Sequence, residues 1–238
     1  MIFYSPQDVQ VDLDRVSKII ALKKRIPLDS ESFGVLKEAL AHIIQLEKLI
    51  TYTVKRARSQ FQLEEHLHLL QSLWMNIHSF DDPESSKEQP VPSIPDKRWQ
   101  EIGFQGSDPS TDFRGMGLLG LDNLLAYTQI APKSAHSLWQ QSKLGSAWFT
   151  FATVGINITA LLYSLLVSRS ADEFFYSQSS TDGSAAFNHA YQLVFEKFGH
   201  YWVMEEAKDV MDFSRIFGKL RTDIEFNLEN YGELFVSK

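Results

Sequence analysis

Cysteine is absent from the 238 residues, so neither a disulfide nor a thiolate metal site is available to the fold. An excess of positive charge is absent as well. The formal charge is −7, which argues against nucleic acid as a main partner, because phosphate recognition needs a basic footprint. The opening MIFYSPQDVQ has no charged stretch followed by an apolar run, so no secretory leader is visible and a cytoplasmic setting is expected. Alternating apolar runs of strand length bounded by hairpin turns are missing, which leaves a β-sheet unsupported. There is no Walker A sequence, no GxSxG elbow and no glycine-rich dinucleotide fingerprint. Ser, His and Asp occur, but never at a spacing that suggests a catalytic triad.

What the chain does carry is helical periodicity. Ser5-Pro6 reads as a cap followed by proline at the first helical position, with Val9, Leu13, Val16 and Ile20 at spacings of four, three and four. Lys23, Lys24 and Arg25 suit the end of that helix, and Pro27 breaks it. A second helix is expected from about Ser30 to Arg58, with Phe33, Leu36, Leu40, Ile43, Ile50 and Val54 inward and Lys55, Arg56 and Arg58 at its end. A third is expected from about Phe61 to Phe80. Both basic clusters are read as ordinary helix termination in preference to contacts with an anionic surface. Glu64 and His68 share a face of the third helix, but no second pair at that spacing and no HExxH follows. Solvated helix surface is therefore the better account of Glu64, Glu65, His66, His68 and His78 than a metal site.

Residues 81–95, DDPESSKEQPVPSIP, read as an exposed proline-rich linker between an N-terminal helical section, 1–80, and a core section, 96–230. Pro132 is expected to start a short helix ending near Gly145. Ala147 to Val167 has no charged residue and the length of a bilayer span. Its apolar stripe, Trp148, Phe151, Gly155, Ile158, Leu162 and Leu165, runs beside a polar one of Thr150, Thr153, Asn157 and Ser164. Two such faces fit a helix buried among neighbours, and that reading is preferred to membrane insertion. Asp182-Gly183 marks a turn, after which Phe187 to Phe198 and Val210 to Leu228 supply two more amphipathic helices.

The densest local chemistry lies in Trp99 to Leu125, WQEIGFQGSDPSTDFRGMGLLGLDNLL. Asp108-Pro109 favours entry as a loop. Ser110, Thr111 and Asp112 are all suited to capping a helix that begins near Arg114 and continues through Leu118, Leu121 and Leu125. Gly115 and Gly117 remove side-chain bulk beside the arginine, so another surface can approach the backbone.

This stretch resembles the signature of the ELMO domain, in the branch called ELMOD proteins. Trp99, Gly103, Phe104, Gln105, Pro109, Thr111, Asp112, Phe113, Arg114, Gly115, Gly117, Leu119 and Leu121 carry the likeness. It continues in Phe151 to Leu166 and more loosely in Val203 to Leu220. The resemblance implies an all-α, compact multi-helix ELMO-type domain, over 96–230, with the N-terminal helices packed on it. It also implies GTPase activation of Arf and Arl small GTPases in their GTP-bound form, with Arg114 acting in trans. Gln105, Thr111, Asp112, Phe113, Gly115 and Gly117 would support the arginine or meet the partner. Asp112 would steer Arg114 or cap the following helix. Gln105 would either reach toward the nucleotide or serve as a buried amide tying the loop down. Trp99, Phe104 and Phe113 would fix the loop by packing. No cofactor, metal or independent catalytic activity is implied. Cytoplasmic residence with recruitment to endomembranes, as a peripheral membrane protein, fits such a role. The alternative is a non-catalytic ELMO-type scaffold or effector, although the scaffolding relatives generally lack this arginine.

Overall fold

The computed structural model describes residues 12–78, 90–178 and 184–236, and among these it contains helices and no strand. The expected start at Ser5-Pro6, most of the 81–95 segment and the Asp182-Gly183 turn lie outside the described residues. Helix α1, Leu13–Lys24, is capped by Asp12, whose side chain accepts from Arg15 N–H. It folds back on α2, Glu31–Arg58, which Ser30 caps through Phe33 N–H. Helix α3, Leu63–His78, follows. Two 3-10 helices come next, η1 at Lys97–Ile102 and η2 at Pro109–Arg114. The remaining helices are α4 (Gly117–Ile130), α5 (Pro132–Gln141), α6 (Phe151–Val167), α7 (Asp172–Ser177), α8 (Ala185–Met204) and α9 (Phe213–Tyr231). The short 3-10 turn η3, Val210–Asp212, leads into α9.

Helix α4 is the hub, packing on α2, α3, α5, α6 and α8. Its sequence has apolar or small residues on nearly every face, so a run from Gly117 to Leu125 is buried with only Asp122 partly exposed. Asp122 has a reason to be there. It receives a bidentate pair of hydrogen bonds from Arg56, both 2.6 Å, which join α4 to the end of α2. Arg56 is thus an inter-helix tie, and helix termination does not account for it. Two amides, Asn76 half-buried and Asn123 buried, add similar ties: Asn76 donates to Thr128, and Asn123 donates to Thr159, each at 3.0 Å. A buried polar group satisfied in this way fixes the rotation of one helix against another at little net cost.

Helix α6 is enclosed as its two-faced pattern suggests. Phe151, Ile158, Leu162 and Leu166 are fully buried, and Thr159 lies inside with its hydroxyl bonded to Gly155. No helix among the described residues is long and apolar enough to cross a membrane. The helix begins at Phe151, later than its charge-free stretch, and Trp148 stands partly exposed before it.

Several expectations are corrected. The inward face of α2 is Leu46, Leu49 and Thr53, while Ile43 is exposed and Ile50 and Val54 are only half-buried. The apolar stripe on α2 is broad, and the helices packed on it, α1, α4, α6 and α7, select its centre. His78 is not solvated surface: its ring stacks on Trp74 at 3.9 Å and meets Trp139 edge-on at 4.9 Å. Burial pushes its pKa down against the opposing pull of the Trp74 carbonyl. His66 also leans on Phe61, whereas Glu64, Glu65 and His68 are exposed. The end of the linker is not a free connection either. Pro92 is buried, and Val91 and Ile94 pack against the core. Helix α5 stops at Gln141, short of Gly145.

Gly117 has φ of +50°, and a Cβ there would overlap the carbonyls of Ala57 and Ser59 at the end of α2. Gly117→Ala therefore combines backbone strain with a steric clash, and a loss of about 3 kcal/mol is expected. Urea unfolding of parent and variant measures it. A variant within about 0.5 kcal/mol of the parent would show that α2 and α4 are not in this contact.

The Arg114 turn as candidate functional site

The site is built by two short 3-10 helices and the loop between them. Asp96 caps η1, accepting from Arg98 N–H at 2.9 Å. Trp99 is buried and donates its indole N–H to the Ser93 carbonyl at 2.9 Å. Trp139 of α5 donates to the Glu101 carbonyl, also at 2.9 Å, so η1 is pinned from both sides. It ends at Gly103, where φ is +91° and where a Cβ would overlap the backbone of Thr150 and Phe151. That close approach lets the Gly103 carbonyl accept from Thr153 N–H at 3.2 Å and from its hydroxyl at 3.0 Å. The first turn of α6 has no side-chain cap, so a carbonyl from the signature supplies part of what capping would.

Beyond Gly103 the chain buries Phe104 and then surfaces at Gln105. Gln105 N–H donates to Asp112 Oδ2 at 2.8 Å, which draws the loop onto η2. Asp108 caps η2 by accepting from Ser110 N–H at 2.9 Å, and its carbonyl accepts from the Thr111 hydroxyl at 2.9 Å. The cap is thus Asp108, one proline earlier than the expected Ser110, Thr111 or Asp112. The helix it starts is a 3-10 turn that ends at Arg114. Helix α4 begins separately at Gly117 with no side-chain cap. Its Leu118 N–H is taken by the Ser59 carbonyl at 2.9 Å.

The pedestal under the turn is aromatic. Phe113 is buried, stacked on Phe61 at 5.8 Å and edge-on to Phe104 at 5.7 Å. Phe104 meets Trp99 at 6.1 Å, and Trp99 meets Trp74 at 5.4 Å. The row joins α3, η1 and η2, and each such pair contributes roughly 0.5–1.5 kcal/mol beyond its area.

Arg114 is the next residue. It is exposed, and among the described residues its side chain makes no hydrogen bond or ion pair. Asp112 makes no hydrogen bond or ion pair with it and acts on it through charge alone: the carboxylate is bonded to Gln105 N–H and, more loosely, to the Thr111 hydroxyl at 3.4 Å. Nor does Asp112 cap α4. Gln105 is exposed, so the amide is not a buried tie. Its backbone, and not its side chain, anchors the loop. The two glycines divide. Gly115 has open space where a Cβ would sit, whereas Gly117 is buried against α2 and is an internal packing residue. Sequence reasoning missed Arg56, Asp122 and Asp108. The Asp-Pro dipeptide was the signal available for the last.

The fold and the turn together define an all-helical domain organised to carry a short surface turn ending in an arginine. The chain belongs to the ELMO/CED-12 family, whose profile matches residues 52–217. It is 33% identical over 247 residues to ELMO domain-containing protein 1 of Mus musculus, covering 93% of this chain and 73% of that protein. To ELMO domain-containing protein 2 of Homo sapiens it is 32% identical over 214 residues, covering 87% and 69%. ELMO domain-containing protein B of Dictyostelium discoideum is 38% identical over 131 residues, covering 55% and 45%. No solved structure matches the chain.

Burial raises the carboxyl pKa of Asp112, offset in part by the Gln105 N–H and the Thr111 hydroxyl. The folded chain therefore holds this proton more tightly than the unfolded one, and ionisation costs stability as pH rises through the carboxylate range. Asp112→Asn keeps an oxygen to accept from Gln105 N–H and removes the charge. Its Tm at neutral pH is expected to equal or exceed the parent's, with the difference closing as pH falls below the usual carboxylate value. A lower Tm at neutral pH would show that the carboxylate's hydrogen bonds outweigh its desolvation.

Proposed function

We propose that this chain is a GTPase-activating protein for Arf-family (Arf or Arl) small GTPases, acting on the GTP-bound form in the cytoplasm with recruitment to endomembranes. Arg114 is the group offered in trans. GTP hydrolysis spreads negative charge over the transferring phosphoryl oxygens, and a guanidinium placed there stabilises that charge. Arginine suits the task because its fork is planar, always charged and able to make two parallel hydrogen bonds. The activator's remaining work is positioning, since electrostatic stabilisation is effective only where the donors are already in place.

The observation that carries this reading is the contrast between Phe113 and Arg114. One is locked in a buried aromatic row, and the other is exposed and unpaired one residue later. The open space at Gly115 leaves room for a second protein beside the guanidinium. Gln105 and Thr111 are exposed on the same turn and are the candidates for further contacts with the GTPase. No cofactor or metal of the activator's own enters this chemistry.

Single-turnover GTP hydrolysis on a panel of Arf and Arl proteins tests the proposal. Stimulation of at least one is expected, and Arg114→Lys is expected to remove most of an effect on the order of 10³-fold or more. Binding of the GTP-loaded protein by the variant should persist, because lysine keeps the charge. Measurable binding with no stimulation across the panel would favour the non-catalytic scaffold instead. Equal stimulation by the variant would remove Arg114 from the mechanism.

A further inference from the structure

Helix α1 has a composition unlike the rest of the chain. From its N-cap Asp12 to its C-cap Arg25 the helix carries five cations, Arg15, Lys18, Lys23, Lys24 and Arg25, against two carboxylates, Asp12 and Asp14, in a protein of net charge −7. Asp14 is itself paired with Lys37 of α2 at 2.5 Å. The helix precedes the family profile, which begins at residue 52.

Its two faces are distinct. Ser17 and Ala21 are buried against α2. Arg15, Lys18, Ile19 and Leu22 fall at positions i, i+3, i+4 and i+7, which places them together on the opposite side. Ile19 is 44% exposed and Leu22 69% exposed. Leu28, in the turn toward α2, is also exposed. Aliphatic side chains interleaved with cations on one open helix face are the combination that lies in a lipid interface. The apolar groups enter the acyl boundary while lysine and arginine heads remain among the phosphates.

Beyond the helix-ending role that Lys23 and Arg25 have in the sequence, we propose that the outer face of α1 docks on an anionic lipid surface, through Arg15, Lys18, Lys23 and Arg25 with Ile19 and Leu22 inserted. The occupant follows from charge complementarity: an acidic protein presents this basic, part-aliphatic face, and a bilayer supplies both phosphates and hydrocarbon. The inference gives the membrane recruitment in the proposed function a physical site. It requires no GTPase, so its failure and the failure of the GTPase reading are separable.

The test is co-sedimentation of the full chain with vesicles of phosphatidylcholine, with and without phosphatidylserine, at low and high salt. Binding is expected only with phosphatidylserine, and it should weaken as salt rises. Lys18→Glu combined with Lys23→Glu should lower partitioning by on the order of tenfold or more. Leu22→Ser should lower it by about tenfold at most while retaining the salt dependence. The same charge change placed elsewhere, Lys133→Glu with Lys208→Glu, should leave binding little altered. Melting curves verify that each variant is folded. No binding to phosphatidylserine vesicles at low salt would overturn the proposal. So would equal loss in the Lys133 and Lys208 control, because the attraction would then not belong to α1.

Discussion

The first turn of α6 has no capping side chain, and its Thr153 N–H is taken by the carbonyl of Gly103. A residue with a Cβ could not reach that position, because the backbone of Thr150 and Phe151 lies where the Cβ would be. The charge-free helix Phe151–Val167 and the loop that leads to Arg114 are thus joined at the Gly103 carbonyl, which accepts from both the N–H and the hydroxyl of Thr153. From Gly103 the consequences run in both directions. Toward the core, the junction sets the register of α6 against α4, where Asn123 and Thr159 meet. Toward the surface, it sets where Phe104 enters the aromatic row and where Gln105 must turn to meet Asp112.

A surface arginine on an ordinary loop would have many conformations, each of which would have to be given up on docking. Here the turn preceding it is held by a cap at Asp108, a clamp at Asp112 and the buried ring of Phe113. The remaining freedom belongs to the side chain of Arg114 itself. That arrangement lowers the ordering cost of binding, and it fits a protein that completes another protein's active site. The same economy explains how modest the local chemistry is: a positioned guanidinium needs rigidity beneath it and space beside it.

Much of the fold was legible in the sequence because helices announce themselves by period. The bounds of α2, the start of α3 to within two residues and the burial of α6 followed from spacing and from the lack of charge in Ala147 to Val167. Packing preferences were less legible. The stripe on α2 is wide enough to be turned either way, and only the helices packed on it decide that Leu46, Leu49 and Thr53 go inward. His78 looked like surface because nothing local reveals that Trp74 and Trp139 will enclose it. In the signature, the residues were found but several of their mechanical roles were not. Asp112, Thr111 and Ser110 share the chemistry of caps, and spacing alone could not show that Asp108 caps while Asp112 reaches back seven residues to Gln105. Gly115 and Gly117 look equivalent in sequence. One faces open space, and the other is pressed against α2, a difference that only long-range packing creates.

The central claim is that the turn ending in Arg114 is already formed and offers its guanidinium to a bound GTPase without rebuilding. A crystal structure of the chain with an Arf-family GTPase holding GDP and aluminium fluoride tests this most directly. The expected result has the Arg114 guanidinium within hydrogen-bond reach of the fluoride. The backbone of η2, the Gln105–Asp112 bond and the Phe61–Phe113–Phe104 packing should be as they are in the free protein. A complex in which Arg114 lies away from the nucleotide, or in which η2 has been remodelled to deliver it, would contradict the claim.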